Sequence, residues 1–314
     1  MEYVVAKELV RYGFAVNTDY TYSRHDAGTD KDFSVDLQAT GYPPFDTDKL
    51  LSTVELLVEC KHRHRGNKWL FFPDANEPGM SPFTLGYTVR AVDCFSWRFL
   101  SKNATIAFDE EATFCMKGVE VDASNGNVYD SEIKHGLMQL QYALPRLITE
   151  RVRFNVHHDR DENLPFFFCP ILLTTAPLLV VNSHFSIETI EASESLEDIS
   201  IPTPWVVVFS DTTPDFERHR VQECAPLAVL TDNSWVKQID SFRLKQREYE
   251  HRLPSKRCAD LASLDVPRFF EYFSQTVVCS LEHFPALLAR IKQITESATN
   301  SQRKSAKRTR RTSV

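Results

Sequence analysis

The chain has 314 residues, of which 42% are hydrophobic and 25% charged, and its formal net charge is −7. This composition excludes an intrinsically disordered chain, because the apolar fraction is ordinary for a globular protein and large enough to bury a core. It also argues against a membrane protein, since Pro165, Pro170 and Pro177 interrupt the longest apolar stretch, which is better explained by buried strands.

Cysteine usage and charge distribution indicate the compartment. Seven cysteines occur without a CxxC pair, and the first residues, MEYVVAKELVRYG, carry charges inside their apolar stretch and lack a signal-peptide layout. We therefore expect a cytoplasmic protein with reduced thiols. From Arg303 onward the chain has six basic residues and no acid, so residues 299 to 314 are predicted to form a disordered basic tail, either a solubilising end or a contact for nucleic acid.

The first predicted element is a helix over residues 2 to 13, which ends near Gly13. Val5, Leu9 and Tyr12 form one apolar stripe along it. At about 100° per residue Glu8 falls inside that stripe, so its carboxylate is predicted to point towards the core.

Three strands are predicted next, over residues 14 to 23, 33 to 39 and 54 to 61, with a turn at HDAGTDKD between the first two. Asp36 lies on the second strand. The third strand ends in LLVECKHRHRG, where alternation puts Glu59 and Lys61 on one face and Cys60 on the other. An acid and a base at the end of an apolar strand cost free energy unless partners or a metal compensate them.

The rest of the chain alternates between strands and helices. Residues 66 to 130 are interpreted as an insertion that elaborates the sheet, followed by a helix over 131 to 148 with a bend at Pro145. Gln141 lies at the border of its apolar stripe, whereas Gln139 points away. The later predicted elements are strands at 166 to 174, 178 to 181 and 205 to 210, and charged helical stretches at 236 to 253 and 267 to 294.

This order, with Asp36 on the second strand and Glu59, Cys60 and Lys61 ending the third, resembles the PD-(D/E)XK nuclease superfamily. The resemblance implies an α/β fold with a mixed sheet, built on a restriction-endonuclease-like αβββαβ core with an insertion and a partly helical C-terminal portion. The expected organisation is a nuclease-like core over 1 to 190, an α/β portion over 191 to 298 whose independence is open, and the basic tail.

The resemblance also implies roles for residues. Asp36 and Glu59, with the backbone carbonyl of Cys60, would bind Mg²⁺, for which Mn²⁺ could substitute, and Lys61 would orient or deprotonate the attacking water. Glu8 matches the acidic residue often found on the first helix of the family and would hold a second metal or a metal-bound water. Gln141 resembles the helix glutamine near the site in several branches.

A cluster of basic and imidazole side chains follows the third strand and would bind backbone phosphates, DNA rather than RNA on the resemblance alone. Its members are His62, Arg63, His64, Arg65 and Lys68. A solvated strand end explains the cluster equally well, and zinc binding by His62 and His64 matches no standard ligand spacing.

A purely structural role is an open alternative for each charged residue. Glu59 and Lys61 could form a structural salt bridge, Asp36 could be an exposed strand carboxylate, and Glu8 could pair with a neighbouring base. On the resemblance, the chain is predicted to be a metal-dependent nuclease. The alternative is a catalytically inactive nuclease-like fold that acts as a nucleic-acid or protein interaction module. A homodimer and a partner subunit are both left open, because the sequence identifies no dimer face.

Overall fold

The computed structural model describes most of the chain, namely residues 1–26, 28–75, 84–85, 89–100, 112–122, 124–158, 162–182, 185–264 and 270–311. Parts of the predicted insertion and the end of the predicted tail lie outside these residues. Within them all seven cysteines carry free thiols, and six are buried. None of the helices in this part of the chain combines the length and the apolar character needed to cross a bilayer.

Thirteen strands are present in the described residues. They are β1 (Ala15–Asp26), β2 (Thr29–Gly41), β3 (Thr53–Lys61), β4 (Asn67–Pro73), β5 (Thr84–Leu85), β6 (Val89–Val92), β7 (Thr113–Asp122), β8 (Val128–Tyr129), β9 (Phe166–Thr174), β10 (Leu178–Val181), β11 (Ser200–Thr203), β12 (Trp205–Phe209) and β13 (Gln275–Ser280).

Eight α-helices accompany them in the same residues. They are α1 (Glu2–Arg11), α2 (Ser131–His157), α3 (Ile187–Ala192), α4 (Pro214–Cys224), α5 (Ser234–Lys245), α6 (Pro254–Leu261), α7 (Phe270–Ser274) and α8 (Phe284–Arg311).

All thirteen strands belong to one mixed sheet, so the fold class is α/β, as predicted. Strands β1, β2 and β3 pair antiparallel in sequence, and β3 then pairs parallel with β9. A parallel pair needs a crossover connection, and α2 lies in that connection. Beyond β9 the order is β13, β12, β7, β4, β10 and β11, so strands from the C-terminal portion lie in the middle of the sheet.

Helices cover both faces of the sheet. Because side chains alternate along a strand, Leu57 and Leu172 join the core beneath α2, whereas Leu56 and Ile171 join the core beneath α1 and α8. Every residue of β9 is buried, since this strand pairs along its whole length with β3 and is covered on both faces. Each fully buried aliphatic side chain contributes about 1.5–3 kcal/mol, so this double core holds α2 firmly against the end of β3.

Several predicted elements are confirmed and others need correction. The first helix, the first three strands and the strands at 166 to 174 and 178 to 181 are present. The predicted turn at 25 to 32 is shorter, because β1 and β2 pair as far as Asp26 and Thr29. Helix α2 continues nine residues beyond 148 with Pro145 inside it, because tertiary packing of its later apolar residues outweighs the local cost of one proline.

Two larger corrections concern the sheet and the C-terminus. Strand β13 interrupts the stretch at 267 to 294 that was predicted to be helical, and all its residues are buried between β9 and β12. The predicted insertion at 66 to 130 does elaborate the sheet, as expected, since its strands β4 and β7 pair within it. The predicted tail from 299 is wrong at its start, since Thr299 is buried and its hydroxyl lies 2.8 Å from that of Ser52, and α8 extends to Arg311.

His219 of α4 fastens that helix to α2. Its Nε2 lies 2.8 Å from the carbonyl oxygen of Tyr142 and the ring is buried, which fits a neutral imidazole that donates from Nε2. Burial lowers the pKa of His219, and the nearby charge of Arg24 lowers it further, although the Tyr142 carbonyl and Asp215 oppose this. Protonation therefore favours the unfolded chain.

We expect this histidine to make the protein less stable as the pH falls. A folded-state pKa below the unfolded value of about 6.5 means that the stabilising contribution is present above that value and is lost below it, by at most about 1.4 kcal/mol per pH unit. In urea unfolding at pH 7.5, 6.5 and 5.5, the difference in free energy of unfolding between wild type and His219→Gln should shrink as the pH falls. The control His135→Gln, at an exposed α2 position, should show the same pH dependence of stability as wild type. If the difference in free energy of unfolding between wild type and His219→Gln does not change with pH, His219 is not the source of the pH dependence.

Candidate active site

The charged pair at the end of β3 is buried beneath α2. Glu59 is 3% exposed in its side chain and Lys61 is 14% exposed, and Lys61 Nζ lies 2.8 Å from Glu59 Oε1. Strand alternation puts both on the face of Leu57, which belongs to the core beneath α2. Cys60 faces the opposite core, as predicted.

Asp36 reaches the same place because β2 separates from β3 at this point. The ladder between the two strands ends at the Leu37–Val58 pair, and side chains take over the hydrogen bonding beyond it. Asp36 Oδ2 accepts from the backbone N–H of Cys60 at 2.7 Å, and the backbone N–H of Asp36 makes a long 3.4 Å bond to Glu59 Oε2. The structure thus brings Asp36, Glu59 and Lys61 together.

The electrostatics of this group leave negative charge undercompensated. Burial raises the pKa of Glu59, the hydrogen bond from Lys61 lowers it, and the neighbouring charge of Asp36 raises it again, with a net upward shift. A group whose charged form is disfavoured in this way is typical of functional sites, although structural ion pairs show it too. The arrangement would gain from an additional cation beside the two carboxylates.

Gln139, rather than Gln141, is the glutamine of α2 at this site, so both predictions for these residues are wrong. Gln139 Oε1 accepts from Lys61 Nζ at 3.1 Å, and its Nε2 donates to the carbonyl of Ser34 at 3.2 Å. Gln141 is buried elsewhere and donates to the Asp211 carbonyl at 3.5 Å. An error of two residues in helical phase, about 200°, separates the two positions.

Close approach of α2 to Lys61 depends on Gly136. A methyl group at this position would lie 2.5 Å from Leu172 Cδ1 and 3.3 Å from Lys61 Cε. Gly136 precedes Gln139 by three residues and so shares its face of the helix. This glycine inside a helical pattern is the sequence signal that could have identified the face carrying Gln139.

Glu8 does not join the site, which corrects the prediction of an inward carboxylate. Its side chain is 22% exposed and pairs with Arg11 at 2.5 Å, and among the described residues no hydrogen bond or ion pair links it to Asp36 or Glu59. The charge of Glu2, in the first turn of α1, contributes to the raised pKa of the Cys60 thiol, after burial and the charges of Asp36 and Glu59. Glu8 lies about 9 Å further along the helix axis.

The predicted phosphate-binding cluster is only partly available for that role. Arg63 pairs with the buried carboxylate of Glu120 at 2.6 Å and with Glu132 at 3.4 Å, and Lys68 pairs with Glu197. Arg63 is therefore neutralised by a buried acid and is not available as predicted, whereas the pair of Lys68 with Glu197 is open to solvent and leaves Lys68 able to contact a phosphate.

The other three members of the cluster are exposed. They are His62, His64 and Arg65. His62 Nδ1 lies 3.3 Å from the hydroxyl of Thr175. In the described residues no three His, Cys, Asp or Glu side chains form a metal-binding group, and this includes the zinc arrangement considered for His62 and His64.

A divalent cation fits the donor set but would be held by few side chains. Asp36 and Glu59 provide the carboxylate oxygens that Mg²⁺ prefers, and Asp36 Oδ1 makes no hydrogen bond in the described part of the chain. Mg²⁺ commonly uses one or two carboxylates and keeps several waters. Glu59 Oε1 is the less available donor, because it already accepts from Lys61.

Glu55 is a buried acid that the sequence reading missed. It lies four residues before Glu59 and so on the same face of β3, but its surroundings differ. Arg151 Nη2 approaches Glu55 Oε1 to 2.5 Å, and the hydroxyl of Thr40 donates to Oε2 at 2.9 Å. Burial raises the pKa of Glu55 while Arg151 opposes the shift. Because Arg151 balances the charge of Glu55, we assign this acid a structural role.

In comparisons with known proteins, no protein-family model, curated protein or solved structure matches the chain.

Proposed function

We propose that this chain is a metal-dependent nuclease of the PD-(D/E)XK type that hydrolyses phosphodiester bonds, with DNA as the expected substrate. The observation that carries the proposal is the convergence of Asp36 and Glu59 with Lys61 beneath α2. The sequence of α1, β1 to β3, α2 and β9 also agrees with the αβββαβ order of that superfamily, with β4 to β8 between its third strand and second helix. An intracellular location belongs to the same proposal.

Asp36 and Glu59 would hold the Mg²⁺, together with the Cys60 carbonyl. When bound, the cation would supply electrophilic stabilisation of the scissile phosphate and a more acidic water. Lys61 is held between Glu59 and Gln139, so its ammonium has a defined position from which it can orient the attacking water and stabilise developing charge. Gln139 fixes that ammonium to the hairpin of β1 and β2 through Ser34.

A second candidate function is the inactive interaction module. The direct 2.8 Å contact between Lys61 and Glu59 favours it, because an ion pair that is already satisfied can be structural. The neutralised Arg63 would then mean that any nucleic acid binds elsewhere on the surface.

Cleavage assays with metal control distinguish the two functions. Linear and circular duplex DNA, single-stranded DNA and RNA would be incubated with the full chain and Mg²⁺, Mn²⁺ or EDTA. We expect cutting of at least one DNA substrate with Mg²⁺ or Mn²⁺, none in EDTA, and a loss of at least about 100-fold in Asp36→Asn, because a carboxylate ligand is removed.

The matched control is Asp232→Asn, which makes the same chemical change at an exposed ion pair with Lys237 on α5. It should cut like wild type. If folded wild type cuts none of the substrates with either metal, the nuclease proposal fails and the interaction module is favoured.

A further inference from the structure

Asp215, in the first turn of α4, has its carboxylate surrounded by donors from three elements. Arg24 Nη2 of β1 lies 2.7 Å from Asp215 Oδ2, and the hydroxyl of Tyr142 on α2 donates to the same oxygen at 2.8 Å. Arg218 Nη2 approaches Oδ1 at 3.3 Å. The hydrogen bond from Tyr142 is the main cause of the lowered pKa of Asp215, and Arg24 and Arg218 add to it. These donors form a position built for an anion.

This anion position is adjacent to the candidate active site. Tyr142 follows Gln139 by three residues on α2 and therefore lies about 5 Å further along the same side of the helix. Gln139 contacts Lys61 at 3.1 Å, and the Arg24 guanidinium lies 4.0 Å from the centre of the Tyr142 ring. Through Gln139 and Tyr142, the Lys61 ammonium and the Arg24 guanidinium thus contact neighbouring turns of α2.

Tyr22 lies between the candidate active site and the anion position in its electrostatic surroundings. It precedes Arg24 by two residues and so lies on the same face of β1. Burial raises the pKa of Tyr22, the charge of Arg24 lowers it and that of Glu59 raises it. The hydroxyl of Tyr22 is therefore within electrostatic reach of both the active-site acid and the anion position.

The pairing of Asp215 with Arg24 can be broken at little cost. Asp215 is 43% exposed and Arg24 is 22% exposed, and ion pairs in contact with water contribute little net stability because solvent competes for them. Arg24 would keep its stacking on Tyr142 when the carboxylate leaves. A stacked, planar guanidinium is well suited to phosphate, which it can bind with two parallel hydrogen bonds.

We propose that Arg24 and Tyr142 bind a backbone phosphate of the nucleic-acid substrate, and that Asp215 fills this position when no substrate is bound. The inference rests on the proposed nuclease function. Because Tyr142 lies about one turn of α2 beyond Gln139, Arg24 would contact a phosphate close to the scissile one. Asp215 then acts as an internal competitor that lowers affinity for polyanions.

Binding of labelled DNA tests the inference without cleavage. Anisotropy titrations in EDTA would use a fluorescein-labelled 30-base-pair duplex and a 30-nucleotide single strand at several salt concentrations. Asp215→Asn should tighten binding by about fivefold, the upper range for one exposed ion pair. Arg24→Gln should weaken binding and reduce the slope of log K against log salt by about 0.9 on duplex. In the double variant the gain from Asp215→Asn should disappear.

The exposed pair of Asp232 and Lys237 supplies charge-matched controls. Asp232→Asn and Lys237→Gln change the net charge by the same amounts as the test variants and should shift affinity much less. The inference is overturned if Asp215→Asn gains no more than Asp232→Asn, if the gain persists without Arg24, or if wild type binds neither probe in a salt-dependent way.

The two proposals fail separately. If the chain binds DNA as expected but does not cut it, the nuclease proposal is excluded and the proposed phosphate-binding role of Arg24 and Tyr142 is retained. If the chain cuts DNA but Arg24→Gln and Lys237→Gln have the same DNA affinity and cleavage rate, only the proposed phosphate-binding role is excluded.

Discussion

Lys61→Met is expected to lower metal-dependent cleavage by about 10²–10⁴-fold, the range typical of a lost proton-transfer or charge-stabilising group. The reason is geometric: the ammonium is held by Glu59 at 2.8 Å and Gln139 at 3.1 Å beside the two carboxylates. Single-turnover cleavage with Mg²⁺ measures the effect.

Controls separate a chemical role of Lys61 from a structural one. Lys134→Met makes the same change at an exposed α2 position paired with Asp130 and should leave the rate unchanged. Lys61→Arg keeps the positive charge near Glu59, so it should retain more stability than Lys61→Met while remaining slow, because the guanidinium cannot take the place of the ammonium. Retention of wild-type rate in Lys61→Met would exclude the proposed role.

Arg243→Met is expected to lower the free energy of unfolding by about 3–5 kcal/mol, as for other buried charges whose network is broken. Arg243 of α5 is fully buried, and its Nη2 donates to backbone carbonyls that include those of Ser96 at 2.8 Å and Arg98 at 3.2 Å. Its guanidinium also lies 4.4 Å from the centre of the Phe99 ring. Removing it leaves buried carbonyl groups without a donor, which is costly.

Urea unfolding measures this effect, with Lys245→Met as the matched control at an exposed position of the same helix. The control should change stability by less than about 0.5 kcal/mol. A loss below about 1 kcal/mol in Arg243→Met would show that water or neighbouring groups satisfy those carbonyls instead, and that Arg243 is not what fastens residues 93 to 98 to α5.

The residues of the candidate active site differ in how well the sequence predicts their positions. Period-two alternation was enough to place Glu59 and Lys61 on one face of β3 and Cys60 on the other, because strand geometry is local. Helical periodicity, in contrast, selected Gln141 instead of Gln139. Helical phase relative to a distant strand is set by which residues let the helix approach, and here Gly136 against Leu172 determines it.

Charge was the least predictable property, because partners can come from anywhere in the chain. Arg63 and Lys68 looked available beside the site, yet their carboxylate partners Glu120 and Glu197 lie far away in sequence. Glu8 was predicted to point into the core from its position in the apolar stripe, but its flexible side chain pairs with Arg11 instead.

By itself, the sequence determined the class of fold, the sheet-and-helix order of the first 61 residues, and the acid and base that end β3, since each follows from short-range periodicity and burial. Tertiary structure decided the rest. It placed β13 within the sheet, in a stretch whose local pattern favours helix, because pairing with β9 and β12 supplies contacts that no local preference can match. It also decided which charges remain free to act, because compensation of a buried charge depends on neighbours brought together only by folding.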